Sequence, residues 1–127
     1  MNHSALIVED NKTLADAYTL TISDLLDYET VTISNGQAAM QFLQKNRPSL
    51  LLLDLHLPTV DGIEILEYLQ RQPMATQMTI LVLTADLLMG ERVAEQFNIV
   101  SDILYKPFKL SKLSETIRHL TEQKQHA

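Results

Sequence analysis

The chain has 127 residues, of which 46% are hydrophobic, and this suits one compact domain with a buried core. It contains no cysteine, which excludes disulfides and thiolate metal sites, and its formal net charge of −6 disfavours direct binding of nucleic acid. No apolar stretch approaches the length of a membrane span, so we expect no membrane partner and a cytoplasmic location.

In the first part of the chain, short apolar strands alternate with segments of helical spacing. The first strand is predicted at residues 5–8, and apolar residues that recur every three or four positions predict a helix over residues 11–25. The second strand is predicted near residues 30–33. Asn35 is the expected N-cap of the next helix, which should stop at residues 46–48.

The second part of the chain continues the same alternation. Strands at residues 50–53 and 79–83 are apolar on both faces, which is typical of the centre of a parallel sheet. The remaining predicted elements are a strand at residues 102–105 and helices at residues 63–69, 87–97 and 110–120. Residues 121–127 turn polar, and we expect them to fray.

Five strands and five helices in alternation predict one α/β domain that comprises residues 1–127. The expected fold is doubly wound, (βα)5, with a five-stranded parallel sheet of flavodoxin-like topology and strand order 2-1-3-4-5. Ligands of such sheets bind beyond the carboxyl ends of the strands. The residues that follow each strand are therefore the candidates for function.

Charged and polar residues stand at four of these strand ends: Glu9, Asp10, Asp54, Thr84 and Lys106. Two carboxylates about 4 Å apart repel by about 4 kcal/mol at an effective dielectric constant of about 20, so the cluster should either take up protons or bind a cation. Hard oxygen ligands on short loops suit Mg²⁺, and Mn²⁺ is an acceptable substitute.

With a divalent cation present, a carboxylate such as Asp54 can attack phosphorus as a nucleophile. Phosphoryl transfer chiefly requires neutralised charge and in-line positioning, and Lys106 supplies a cation for the phosphoryl oxygens. Thr84 can donate a hydrogen bond to one of these oxygens, although a threonine at this position is also an ordinary helix N-cap. These residues are sufficient to form an aspartyl phosphate.

The residues at the strand ends resemble the receiver domain of two-component response regulators. The matching segments, in order, are LIVEDN at 6–11, LLDLHLP at 52–58, DG at 61–62, LTA at 83–85 and KPF at 106–108. Each segment alone is a weak signal, but together they are specific, and they extend over nearly the whole chain.

The resemblance implies that Asp54 accepts a phosphoryl group from a phosphohistidine on a sensor histidine kinase or a histidine phosphotransfer protein. It also implies that Asp10 and Asp54 bind Mg²⁺ directly, with the backbone carbonyl of His56 as a further ligand. Glu9 would act on the metal largely through water. Such a protein is a signalling switch that catalyses only its own phosphorylation and dephosphorylation.

The resemblance further implies that Thr84 moves toward the phosphoryl group, that Lys106 pairs with it, and that the Lys106–Pro107 peptide bond is cis. Phosphorylation would alter the face built by the fourth helix, the fifth strand and the last helix. That face would act on a downstream protein or on an appended output domain, neither of which is identified by these residues.

Several positions depart from the family pattern or lie at the rim of the expected site. Ile103 stands where the family often has Tyr or Phe, so the aromatic half of the switch is expected to be missing, with Tyr105 as a less favoured substitute. Asn98 is expected to take a left-handed helix cap where the family usually has glycine. His56 and Asp86 are expected to influence the lifetime of the phosphorylated form.

Three other functions compete with this interpretation. A Mg²⁺-dependent aspartyl-phosphate enzyme usually carries its nucleophile on the first strand, and a flavin module needs a phosphate loop where this chain has Glu9 and Asp10. A pseudo-receiver, which acts by contacts without phosphorylation, is kept open by Ile103. All five expected site residues are nevertheless present.

Overall fold

A computed structural model describes the backbone of residues 3–126 and the side chains of residues 3–122. Within this range the strands are β1 (Ser4–Val8), β2 (Glu29–Ile33), β3 (Leu50–Asp54), β4 (Thr79–Thr84) and β5 (Asp102–Tyr105). The helices are α1 (Lys12–Leu20), α2 (Gly36–Lys45), α3 (Gly62–Gln70), α4 (Leu87–Gln96) and α5 (Leu110–His126). None of the helices in this range is long and apolar enough to cross a membrane.

The strands form one parallel sheet in the order β2-β1-β3-β4-β5, which confirms the predicted doubly wound fold and its strand order. All five residues of the central strand β3 are buried, because helices cover the sheet on both faces. The register pairs Val8 with Leu53, Asp54 with Leu83, and Thr84 with Tyr105. The ends of β1, β3, β4 and β5 therefore meet at one edge of the sheet.

The sheet separates two apolar layers, because successive side chains of a strand point to opposite faces. Leu51 and Leu53 belong to the layer covered by α2, α3 and α4, and Leu50 and Leu52 to the layer covered by α1 and α5. The run of leucines in β3 thus supplies both layers at once. This arrangement holds the end of β3, and with it Asp54, in a fixed place.

Four helices begin at an asparagine or aspartate whose side chain accepts a hydrogen bond from a backbone N–H three residues later, at 2.9 to 3.0 Å: Asn11, Asn35, Asp61 and Asp86. Such a bond satisfies one of the N–H groups that a helix start leaves unpaired. The predicted cap at Asn35 is confirmed. The N-cap of α4 is Asp86, so the alternative role of Thr84 as an N-cap is wrong.

The first predicted helix is continuous, but its last turn, Thr21–Leu25, is a π-helix. Hydroxyl groups there donate to the carbonyl four residues earlier, Thr21 to Ala17 at 3.0 Å and Ser23 to Thr19 at 2.8 Å. Such bonds compete with the main-chain pattern and deform helices. Apolar spacing alone does not reveal this change.

A short 3₁₀ turn, Pro73–Gln77, precedes β4 and was not predicted. The left-handed cap expected at Asn98 is also wrong, because among the described residues the non-glycine positions with positive φ are Asp27 and Thr59. The loop after α4 is instead closed by the N–H of Val100, which donates to the carbonyl of Phe97 at 3.1 Å. No left-handed residue is needed for that turn.

The backbone of α5 continues to His126, six residues beyond its predicted end. The side chains of residues 123–127 lie outside the described part of the chain, as does all of Ala127. The fraying expected over residues 121–127, and the extent of the domain as residues 1–127, stay predictions.

Candidate functional site

Three carboxylates meet where β1 and β3 end. Glu9, Asp10 and Asp54 each place an oxygen within 4.8 Å of the other two. Glu9 and Asp54 are buried, whereas Asp10 is exposed. The acidic pair after the first strand and the aspartate of the third therefore share one edge of the sheet, as expected from the topology.

Asp54 is the last residue of β3 and is only 5% exposed. Its Oδ1 accepts a hydrogen bond from the backbone N–H of His56 at 3.0 Å, and its Oδ2 accepts one from Lys106 Nζ at 3.2 Å. Both contacts orient the carboxylate. Because the His56 bond comes from the loop directly after the strand, the loop and the carboxylate are held together.

Lys106 follows β5, and its ammonium group reaches both buried carboxylates. Its Nζ lies 2.7 Å from Glu9 Oε1 as well as 3.2 Å from Asp54 Oδ2. The backbone N–H of Lys106 donates to the carbonyl of Thr84 at 2.9 Å, and the Lys106–Pro107 peptide bond is cis. Burial alone would lower the pKa of Lys106, but the Glu9 hydrogen bond and the charges of Asp54 and Glu9 outweigh it and raise the pKa.

Glu9 is held by its own loop as well as by Lys106. Its Oε2 accepts from the backbone N–H of Asn11 at 3.2 Å, and its backbone N–H donates to the carbonyl of Ile33 at 3.1 Å. Burial raises the pKa of Glu9, and the hydrogen bonds from Lys106 and Asn11 offset this only in part. Ionised Glu9 is therefore costly without additional positive charge.

The donor set suits a divalent cation. It consists of carboxylate oxygens on short loops, and three carboxylates face one ammonium, so negative charge is in excess. The side chain of His56 is exposed and is not part of the acidic cluster. Oxygen ligands without imidazole or thiolate favour a hard ion such as Mg²⁺ over a soft one.

Thr84 ends β4 and is fully buried. Its hydroxyl accepts a hydrogen bond from the backbone N–H of Asp86 at 3.0 Å. Asp86 is itself exposed, and its side chain caps α4. This hydrogen bond fixes the Thr84 hydroxyl to the turn that leads into α4.

An open cavity of about 360 Å³ adjoins the acidic cluster. Its lining includes Asp10, His56, Pro58, Asp61 and Met89. Of the acidic cluster, Asp10 lies on this lining, whereas Glu9 and Asp54 do not. His56 is exposed and lines this cavity.

Sequence reasoning assigned no structural role to Gly62, the first residue of α3. A Cβ atom at this position would lie 2.7 Å from the Cα of Leu55 and 2.9 Å from the carbonyl oxygen of Asp54. The N–H of Gly62 donates to the carbonyl of Leu55 at 3.0 Å. The start of α3 is therefore packed directly on the loop that follows Asp54, at a distance that only glycine allows.

Sequence reasoning also missed Gly90, which lies in the middle of α4. A Cβ atom there would lie 2.6 Å from Cε1 and 2.8 Å from Cζ of Tyr105. The phenol group of Tyr105, with its hydroxyl oxygen 2.5 Å from the same position, thus fills the space beside α4 that a side chain at position 90 would occupy. Ile103, two residues earlier in β5, is partly buried and packs against the layer under α2, α3 and α4.

Comparisons with known proteins agree with the observed fold. The response regulator receiver domain model matches residues 5–118. The polar-differentiation response regulator DivK of Brucella anthropi is 28% identical over 121 residues, which are 93% of this chain and 95% of DivK.

Two solved structures are similar over 94% of this chain and 98% of their own. One is a putative response regulator of Chloroflexus aurantiacus, with a TM-score of 0.82 and 29% identity. The other is the receiver domain of a sensor histidine kinase of Pseudomonas aeruginosa, with a magnesium ion coordinated in its active-site cleft, a TM-score of 0.79 and 26% identity. Since the receiver model matches residues 5–118, which are most of the chain, the chain belongs to the response regulator receiver domains of two-component systems.

Proposed function

We propose that Asp54 is the phosphoacceptor of this chain and that the chain is a phosphorylation-dependent signalling switch. The observation that carries the proposal is the position of the Asp54 carboxylate. It ends a strand that is buried along its whole length, contacts the Lys106 ammonium, and shares an acidic cluster with Glu9 and Asp10. A nucleophilic oxygen, a cation and further metal ligands are thus present together.

In the proposed reaction, an oxygen of Asp54 attacks the phosphorus of a phosphohistidine in line with the P–N bond. The O–P bond forms, the P–N bond breaks, and the imidazole leaves with its electron pair and takes a proton from water. Lys106 neutralises charge on the transferred group, because its Nζ already lies 3.2 Å from Asp54 Oδ2. Glu9 keeps Lys106 in place through the 2.7 Å contact.

Receiver domains bind Mg²⁺ in an acidic pocket, and the cluster of this chain fits such an ion. We assign Asp10 and Asp54 as direct ligands, the backbone carbonyl of His56 as a further ligand, and Glu9 as a residue that acts through water. When bound, the ion supplies charge neutralisation for the phosphoryl oxygens, and Mn²⁺ should replace it. The magnesium ion in the active-site cleft of the Pseudomonas aeruginosa receiver domain supports a magnesium site in this chain.

Thr84 is proposed to donate its hydroxyl hydrogen to the phosphoryl group. Its hydroxyl now accepts from the N–H of Asp86, so it has a hydrogen to donate to a phosphoryl oxygen. Movement of Thr84 would carry along the turn that leads into α4. Asp86 and His56, both exposed near the site, are proposed to affect how fast water reaches the phosphorylated aspartate.

Receiver domains act with histidine kinases or phosphotransfer proteins and with output domains. For this chain we propose a sensor histidine kinase or a histidine phosphotransfer protein in the cytoplasm as the donor. Its phosphohistidine must reach the carboxyl edge of the sheet, where an apolar cavity of about 250 Å³ lies beside the site, lined in part by Leu14, Tyr18 and Phe108. The signal would leave through a downstream protein or an appended domain.

The decisive experiment is intact-mass measurement after incubation with acetyl phosphate and MgCl₂. We expect one added phosphoryl group in the wild type and none after Asp54→Asn or with a chelator. Asp16→Asn is the matched control, because Asp16 is exposed and pairs with Lys12 on the surface of α1. It should be labelled like the wild type.

Three results would contradict the proposal. Unchanged labelling of Asp54→Asn would move the acceptor to another residue. Continuous release of phosphate from acetyl phosphate without a mass gain would favour a hydrolytic enzyme. A wild type that gains no mass from acetyl phosphate or from a phosphorylated histidine donor would favour the pseudo-receiver.

A further inference from the structure

The loop between β3 and α3, residues 55–61, is fastened to the end of β3 on both sides. Near its start, the backbone N–H of His56 donates to Asp54 Oδ1 at 3.0 Å. After its last residue, the N–H of Gly62 donates to the carbonyl of Leu55 at 3.0 Å. The middle of the loop lies away from these two contacts, and a different part of the chain holds it.

That part is the first turn of α2. The backbone N–H of Gly36 donates to the carbonyl of Pro58 at 3.1 Å, and the backbone N–H of Gln37 donates to the hydroxyl of Thr59 at 3.1 Å. The first N–H groups of a helix have no partner within the helix itself. The loop therefore satisfies two groups that α2 leaves unpaired.

Gly36 also lets the two backbones come unusually close. A Cβ atom at position 36 would collide with the carbonyl oxygen of Val60 and would lie 2.5 Å from its carbonyl carbon. Gly36 is buried, and both atoms of Val60 belong to the backbone, so no side-chain rotation could make room. Any larger residue at position 36 must displace the loop or the start of α2.

The loop is strained where α2 contacts it. Thr59 has a φ of 71°, and the N–H of Val60 donates across it to the carbonyl of Pro58 at 3.0 Å, which makes a γ-turn. Such a turn with positive φ is rare and strained, above all for a β-branched residue. Strained backbone persists only where its surroundings hold it. Here the hydroxyl of Thr59 donates to the Pro58 carbonyl at 2.6 Å while it accepts from α2.

We propose that the first turn of α2 positions the β3–α3 loop for the divalent ion, through Gly36 and Thr59. The loop carries His56, whose backbone carbonyl is the further ligand assigned above, so a loop that shifts should bind the ion more weakly. Gly36 and Thr59 are positioning residues in this scheme and are not ligands. The inference rests on the proposed metal site around Asp54.

The test measures Mg²⁺ affinity by isothermal titration calorimetry. It also measures the Mg²⁺ concentration for half-maximal phosphorylation by acetyl phosphate, read by intact mass. Gly36→Ala should weaken binding by about tenfold, the lower end of what supporting contacts of a metal site are worth. It should need correspondingly more Mg²⁺, yet reach the wild-type mass gain at saturation, because Asp54 is unchanged.

Thr59→Val keeps the branched shape of the side chain but removes the hydroxyl. It should weaken Mg²⁺ binding by about two- to threefold, since the hydrogen bond that it loses is exposed and falls at the low end of hydrogen-bond strengths. Thr59→Ser keeps a hydroxyl and should bind like the wild type. Thr59 is exposed, so Thr59→Val should fold, and it decides the matter if Gly36→Ala does not fold.

Gln37→Ala is the matched control, because it removes an exposed side chain from the same turn but retains the backbone N–H that Thr59 accepts from. It should keep the wild-type affinity. A second measurement needs no ion: exchange of the His56 amide, followed by NMR, should be faster in Gly36→Ala and Thr59→Val than in the wild type. A purely structural role would lower the urea midpoint but leave the affinity of the folded protein unchanged.

The inference is overturned if folded Gly36→Ala or Thr59→Val binds Mg²⁺ as tightly as the wild type, or if Gln37→Ala weakens binding as much as Thr59→Val. Weaker binding by Thr59→Ser would contradict the role of the hydroxyl. A wild type that binds no Mg²⁺ or gains no mass would instead overturn the proposed function. The behaviour of the wild type therefore distinguishes the two failures.

Discussion

The Lys106 ammonium lies 2.7 Å from a Glu9 oxygen and 3.2 Å from an Asp54 oxygen, so one cation pairs with a carboxylate that follows β1 and with one that ends β3. Both carboxylate side chains are almost fully buried, at 1% and 6% exposure. Buried charges that lose their partner are far costlier than charges in water. Lys106 is therefore a structural requirement of the ion-free chain as well as a proposed reaction group.

Substitution Lys106→Met should destabilise the chain in the absence of divalent ions by about 1–3 kcal/mol, because two buried carboxylates lose a hydrogen-bonded cation. Added MgCl₂ should restore part of the loss. Urea unfolding with and without the ion measures both effects. Lys12→Met is the control: its ion pair with Asp16 is exposed, so its unfolding midpoint should stay at the wild-type value. Equal midpoints for the two variants without Mg²⁺ would contradict the prediction.

Substitution Asp10→Asn should weaken Mg²⁺ binding by at least about tenfold, since even outer contacts of metal sites are worth about 10- to 100-fold in affinity. Asp10 is exposed, so the change should have little effect on folding. Isothermal titration calorimetry gives the affinity, with Asp16→Asn as an exposed acidic control. An affinity that is unchanged by Asp10→Asn would remove Asp10 from the ligand set.

Magnesium binding should weaken as the pH falls through the raised pKa of Glu9, because the proton and the ion compete for the same negative charge. The weakening begins at a higher pH than an exposed glutamate would give. In the ion-free chain the folded state holds the proton on Glu9 more tightly than the unfolded state does. Stability should therefore decrease as the pH rises from the ordinary pKa of glutamate through the raised one.

Calorimetry in two buffers of different ionisation heat measures the protons that Mg²⁺ releases in this range. Glu9→Gln has no proton to release at position 9, so its proton count should be lower than that of the wild type. An identical count in the two proteins would show that another group takes up the proton.

The effect of Gly90→Ala on the free energy of unfolding should change sign when the Tyr105 side chain is removed. In a helix interior, alanine is favoured over glycine by about 0.5–1 kcal/mol. In the wild type this gain is opposed by the Tyr105 ring, whose Cε1 would lie 2.6 Å from the new Cβ, so we expect a net loss of stability. In a Tyr105→Ala background the same change should be stabilising, as a double-mutant cycle by urea unfolding will report. If Gly90→Ala is stabilising in both backgrounds, the Tyr105 ring moves away from the new Cβ at little energetic cost.

The strand ends could be predicted because they depend on local patterns. The leucine run of β3 and the polar residues after β1, β4 and β5 are visible in the sequence, and parallel pairing brings their carboxyl ends to one edge. Asn35 could be predicted as a cap because a cap contacts its own helix. Neither inference needs knowledge of a distant partner.

Other features depend on tertiary partners or on small local energies. The choice of Asp86 over Thr84 as the cap of α4 follows from the Thr84 hydroxyl facing the turn. The close packing of Tyr105 against Gly90 arises because β5 places Tyr105 beside α4. The π-helical turn at Thr21–Leu25 keeps the apolar spacing of an α-helix nearly intact, so periodicity does not detect it.

The close approach at Gly62 has a consequence for how this chain tolerates sequence change. Any side chain there would push against the backbone of Leu55 and the carbonyl of Asp54, and would shift the very carboxylate that is proposed to react. In a saturation screen scored by phosphorylation, substitutions at position 62 should therefore be as damaging as substitutions of Asp54 or Lys106. Its intolerance would arise from shape, in a residue that has no functional group at all.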